Sequence, residues 1–94
     1  MWWLLGLAAA AVIIAVAIIT YRAVHNYLDR KKKIANAKTA VLIREKLNSG
    51  EYRVIGGVFD KKKEVLDAQI WEGKEIDEEL QEEFGRRNKL TYTC

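Results

Sequence analysis

The residues able to do chemistry are the acids, one histidine and one cysteine, and none of them is spaced for it. Eleven of the thirteen carboxylates fall in residues 51–94. Paired carboxylates act as general acid and base only where a pocket drives their pKa values apart. Most of these acids lie on the polar side of a short helical stripe, and a unit this thin leaves little room for a pocket. His25 has no serine or cysteine nearby to serve as a nucleophile. Cys94, the last residue and single cysteine, reads as a reduced, exposed thiol and excludes a disulfide within the chain. One histidine and one cysteine do not close a metal site, which normally takes four protein ligands. Gly56-Gly57 fits no phosphate-loop spacing. The expectation is therefore no catalytic residues, no cofactor, no metal and no small-molecule substrate: a protein that is not an enzyme.

The basic residues have a clearer pattern. Residues 22–33 carry Arg22, Arg30, Lys31, Lys32 and Lys33 against Asp29 alone, whereas residues 51–94 carry eight basic side chains against eleven acidic ones. The net charge of +3 is thus a basic block followed by an acidic one. Lys61-Lys62-Lys63 reads as a solvated turn with no aromatic platform beside it, which argues against nucleic acid as a partner.

The basic block follows a run with no charge at all. Residues 2–19 read WWLLGLAAAAVIIAVAII, and about 18 to 20 such residues match one helical crossing of a bilayer. The hydropathy predicts a transmembrane helix over residues 1–21, with Trp2, Trp3 and Tyr21 as interfacial aromatics. A basic juxtamembrane helix follows over 22–33. Lysines and arginines beside a membrane helix stay on the cytoplasmic side, which orients the N-terminus outside and the C-terminal domain in the cytoplasm. Arg22, Arg30, Lys31, Lys32 and Lys33 would then contact anionic lipid headgroups. The competing reading is a cleaved signal peptide on a secreted protein, from the Ala15-Val16-Ala17 pattern.

The remaining residues, 34–94, predict a small α+β domain. Ile34, Ala37, Ala40, Val41, Ile43 and Leu47 form an apolar stripe at helical spacing, stopped by Asn48-Ser49-Gly50. Residues 51–60 and 64–72 read as a hairpin turned at Asp60, residues 75–84 as an acidic helix closed by Gly85, and residues 89–93 as a last strand. The fold class is a single N-terminal transmembrane helix continuing into a juxtamembrane helix, then α-β-β-α-β with a three-stranded antiparallel sheet in order 2-1-3. Alternation puts Val54, Val58, Leu66, Ala68, Ile70, Leu90 and Tyr92 under the helices and Ile55, Phe59, Val65 and Trp71 on the opposite face.

That second face is the candidate partner surface, because exposed apolar patches mark contacts. A unit of roughly 60 residues buries only about 60% of its unfolded surface and gains from association. The functional expectation is a membrane-tethered interaction domain, an accessory, assembly or adaptor subunit, with lipids and a protein partner or a second copy as its contacts. The alternatives are a self-associating structural membrane protein and a membrane-surface enzyme.

Overall fold

Six of the eight residues in 12–19 are valine or isoleucine, side chains that lose freedom in a helix and pack well on a pleated sheet. The computed structural model describes residues 12–94, and in it this stretch is strand β1 (Ile13–Ile19). Helix α1 (Tyr21–Lys31), strands β2 (Thr39–Lys46), β3 (Tyr52–Phe59) and β4 (Val65–Ile76), helix α2 (Glu78–Phe84) and strand β5 (Lys89–Thr93) follow. The five strands form one sheet in the order β1-β4-β3-β2-β5. β1 runs parallel to β4, and every other neighbouring pair is antiparallel.

This architecture overturns the expected single-pass fold. Residues 1–11 of the expected membrane helix lie outside the described residues; the rest of it is strand, up to the cap residue Thr20. The longest described helix, α1, has 11 residues and spans about 16 Å. No helix among the described residues is long and apolar enough to cross a membrane. The single-pass assignment, and the localisation with the N-terminus outside and the domain in the cytoplasm, lose the helix on which they stood. The sheet has five strands and is mixed, not three and antiparallel. Of the expected helix over 34–47, residues 34–38 are turn and irregular backbone and 39–46 are β2, which lies between β3 and β5, so the last strand pairs with β2 and not with the first strand of the hairpin.

Both helices pack on one face of the sheet. Val24, Tyr27 and Leu28 of α1 and Leu80 and Phe84 of α2 meet Ala40, Leu42, Val54, Trp71 and Leu90. Gly56 makes room for this layer. A β-carbon there would stand 3.3 Å from both the Trp71 and Tyr27 rings, which meet edge to face at 5.4 Å. The opposite face carries Val41, Ile43, Ile55, Phe59 and Ile70, also buried.

An extra residue in β4 decides which side chains join which face. Phe59 opposes Val65, but Val58 opposes Asp67. Without that shift Val58 would face Leu66 and Val54 would face Ile70, the phase expected from alternation. The bulge reverses it, so Trp71 turns under α1 while Ala68 and Ile70 turn to the other side.

The helix ends share one carboxylate. Asp77 caps α2, its Oδ1 accepting from the Leu80 N–H at 2.9 Å, and its Oδ2 accepts from the Tyr21 N–H at the start of α1. Thr20 completes the α1 cap through its hydroxyl and the Ala23 N–H. At the other end of α2, the Arg44 guanidinium donates to Gln81 and Asn88 side chains and to the Gly85 and Arg87 carbonyls. It supplies a cation where the helix dipole is negative.

Candidate functional site: an apolar edge strand and its groove

β1 is an edge. Its one neighbour among the described residues is β4, and no described strand pairs with its other side. Strands in this position are usually guarded by charge, proline or a bulge. β5, at the opposite edge, follows that rule, with Lys89, Thr91 and Thr93 exposed along it. β1 has no such guard. Val12, Ile13, Ile14, Val16 and Ile18 are 37–74% exposed, and among the described residues Val65 is the one other large apolar side chain as open.

Two features hold β1 in place despite that exposure. Gly73 of β4 lies against it so closely that a β-carbon would come within 2.9 Å of the Val16 carbonyl oxygen. The Gln69 amide donates to the Val12 carbonyl at 2.7 Å. The strand also tightens along its length, since Ile19 is fully buried where the chain turns into α1.

Between β1 and α1 runs a groove of about 480 Å³. Ile14, Val16 and Ile18 form one wall and Ala23 and Tyr27 the other, with Trp71 and Gln69 on its floor and Arg30 also lining it. Ala23, Tyr27 and Arg30 share a helical stripe. Burial holds the Tyr27 phenol far above its usual range, reinforced by its 2.6 Å hydrogen bond to Asp67 Oδ2. It is therefore a donor at neutral pH, not a base.

A second polar cluster joins the helices. His25 Nε2 lies 2.7 Å from Glu83 Oε1, its ring stacks on Tyr21 at 4.2 Å, and the Tyr92 hydroxyl donates to Glu83 Oε2. Burial, and then the Glu83 carboxylate, push the Tyr92 phenol upward. These groups satisfy one another, and none of them lines the groove. Among the described residues no cluster of histidine, cysteine and carboxylates could hold a metal ion.

The residues singled out from sequence are distributed as follows. Ile55 and Phe59 sit together on the face opposite α1 and α2 but are buried. Val65 is exposed at the start of β4, and Trp71 is buried on the opposite face, under α1. The four therefore do not form one surface. Arg22 lies in the first turn of α1 and Arg30 and Lys31 in its last. Lys31 is 3.8 Å from Asp67, Lys32 lies 5.1 Å above the Tyr92 ring, and Lys33 is exposed in the turn beyond. Ile14, Val16 and Ile18 were missed as site residues because hydropathy assigned them to a bilayer. The signal that separates the two readings was present, in the density of β-branched residues.

The fold and this edge define a small mixed-sheet α+β domain with one unguarded strand. Compared with protein-family models, with curated proteins and with solved structures, the chain finds no match.

Proposed function

We propose that this protein is an interaction module that takes up an extended, apolar segment of a partner protein as a sixth strand against β1. The observation that carries the reading is the concentration of exposed valine and isoleucine on a strand whose outer backbone has no strand partner among the described residues. Strand addition satisfies both at once. Main-chain hydrogen bonds give affinity, and alternate side chains of the added strand enter the groove under α1 and give selectivity. The absence of charge over residues 12–19 selects alternating apolar side chains at the positions that face β1. Covering one partly exposed valine or isoleucine contributes on the order of 1 kcal/mol, so β1 offers several such contributions along a single strand.

A dye-labelled, acetylated and amidated heptapeptide alternating valine and threonine tests this with the full chain by fluorescence anisotropy. The peptide is expected to bind. N-methylation of alternate amides along one edge, which removes donors but keeps the apolar surface, should abolish binding. Val16→Lys should weaken it by about tenfold or more, a loss of roughly 1.4 kcal/mol. Equal binding of the methylated and unmethylated peptides would mean that the surface is merely sticky, and the reading would fail.

A further inference from the structure

The groove beside β1 is apolar along its walls and has one cation. Arg30 is exposed and makes no ion pair among the described residues, although the cations next to it are engaged. Asp67, the acid beside Tyr27 and Lys31, already accepts from the Tyr27 hydroxyl and faces Lys31 through the same oxygen, Oδ2. The guanidinium of Arg30 therefore reaches the groove with no side-chain hydrogen bond or ion pair among the described residues, and a planar carboxylate is the group that fits its donors two at a time.

The position of Arg30 along β1 follows from the topology. α1 starts where β1 ends, at Thr20, and its last turns reach Asp67 through Tyr27 and Lys31, just ahead of the Ile70 that pairs with Ile13, so Arg30 lies toward the beginning of β1. A strand added to β1 presents every second side chain to the groove, about 6.8 Å apart. Three such side chains match Ile14, Val16 and Ile18, and the next position beyond Ile14 falls at Arg30.

Resting on the strand-addition reading, we infer that the partner segment carries an acidic side chain at that position. Its pattern is two or three apolar residues at alternate positions followed, two residues on, by Asp or Glu. The segment runs antiparallel to β1, the direction that is slightly more stable per residue. Arg22, Lys31, Lys32 and Lys33 on and after the same helix add a positive field that draws an acidic segment toward the groove.

Four acetylated and amidated peptides decide the matter by anisotropy with the full chain. They have one alternating apolar core and carry glutamate, glutamine or lysine at the end that antiparallel pairing places by Arg30, or glutamate at the opposite end. The wild-type chain should prefer the first glutamate peptide over glutamine by about fivefold, and the preference should shrink with added salt. Arg30→Gln should erase it, and Arg30→Glu should transfer it to the lysine peptide. Because Arg30 is exposed, both variants should keep the wild-type far-ultraviolet circular dichroism and a cooperative melt, lowered slightly by loss of a cation in the last turn of α1. If glutamate and glutamine peptides bind the wild-type chain alike, the carboxylate is not read and the inference fails while strand addition stands. If neither binds, strand addition itself fails. A preference for glutamate at the opposite end overturns the antiparallel direction.

Discussion

Single side chains decide how this small sheet keeps its helices. Asp77 satisfies one orphan N–H of α2 and one of α1, two bonds of 2.9 Å from one carboxylate. Replacing a capping residue with alanine costs about 1 kcal/mol per cap, so Asp77→Ala is expected to lose about 2 kcal/mol, read as a lower midpoint in urea denaturation. Thr20→Ala, which removes one cap bond, should cost about half as much. Tyr27 makes a different kind of contribution. Its phenol is held protonated in the folded chain well above the unfolded value, first by burial and then by Asp67. The stability this supplies is whole below the unfolded phenol pKa, about 10, and is lost as pH rises beyond it. Wild-type stability relative to Tyr27→Phe should therefore be constant from pH 7 to 9 and fall by roughly 1 kcal/mol by pH 11. A difference that stays flat to pH 11 would show that the phenol ionises as freely folded as unfolded.

At the scale of elements, the question is what seats β1. The close approach of Gly73 to the Val16 carbonyl leaves no space for a methyl group unless one backbone moves. Gly73→Ala should displace β1 from β4 and cost about 1–3 kcal/mol; the amides of β1 should lose hydrogen-exchange protection while those of β2 and β3 keep theirs. The sequence shows such devices unevenly. The β3–β4 hairpin was legible because its turn is local: Asp60 Oδ1 accepts from the N–H groups of Lys62 and Glu64. The acidic helix was legible at its end, closed by Gly85 at φ +61°, but it starts at Glu78 behind the cap Asp77, because Glu75 and Ile76 of the expected 75–84 complete β4. β1 and β2 were not, because both are strands of the interior type in sequence. Residues 40–43 are buried on both faces, Ala40 and Leu42 toward the helices and Val41 and Ile43 away, and a two-sided strand loses the alternation that marks a one-sided one. It then matches a helical stripe as well as a strand. The bulge that turned Trp71 under α1 left no mark in the residues around it. For the site, Arg30 stood out in the sequence as a cation, but its place in a groove depends on how α1 folds back, which is tertiary information.

For the whole molecule, the sheet order sets a gradient of stability. Among the described residues β4, β3 and β2 each have a strand on both sides, whereas β1 and β5 have one neighbour. The two edges are unlike: β5 is polar outward and closed at its end by the Cys94 N–H bonded to the Lys38 carbonyl, and β1 carries the exposed apolar side chains. α1 follows β1 in the chain but belongs energetically to the centre, because Val24, Tyr27 and Leu28 are buried in the main core. Thr20 is thus the boundary between a strand buried only at its last residue, Ile19, and a helix that depends on the core. Local openings are drawn from such weakly buried elements. Native-state hydrogen exchange at rising urea should show the amides of β1 exchanging through an opening several kcal/mol below global unfolding. The opening should spread from Val12 toward the buried Ile19, while Val24 and Leu28 exchange with β2, β3 and β4 in the global event. A saturating strand-forming peptide should raise β1 toward the global value and leave α1 unchanged. If β1 and α1 open together as one unit, the boundary at Thr20 is absent, and binding at the edge would have to be coupled to the core.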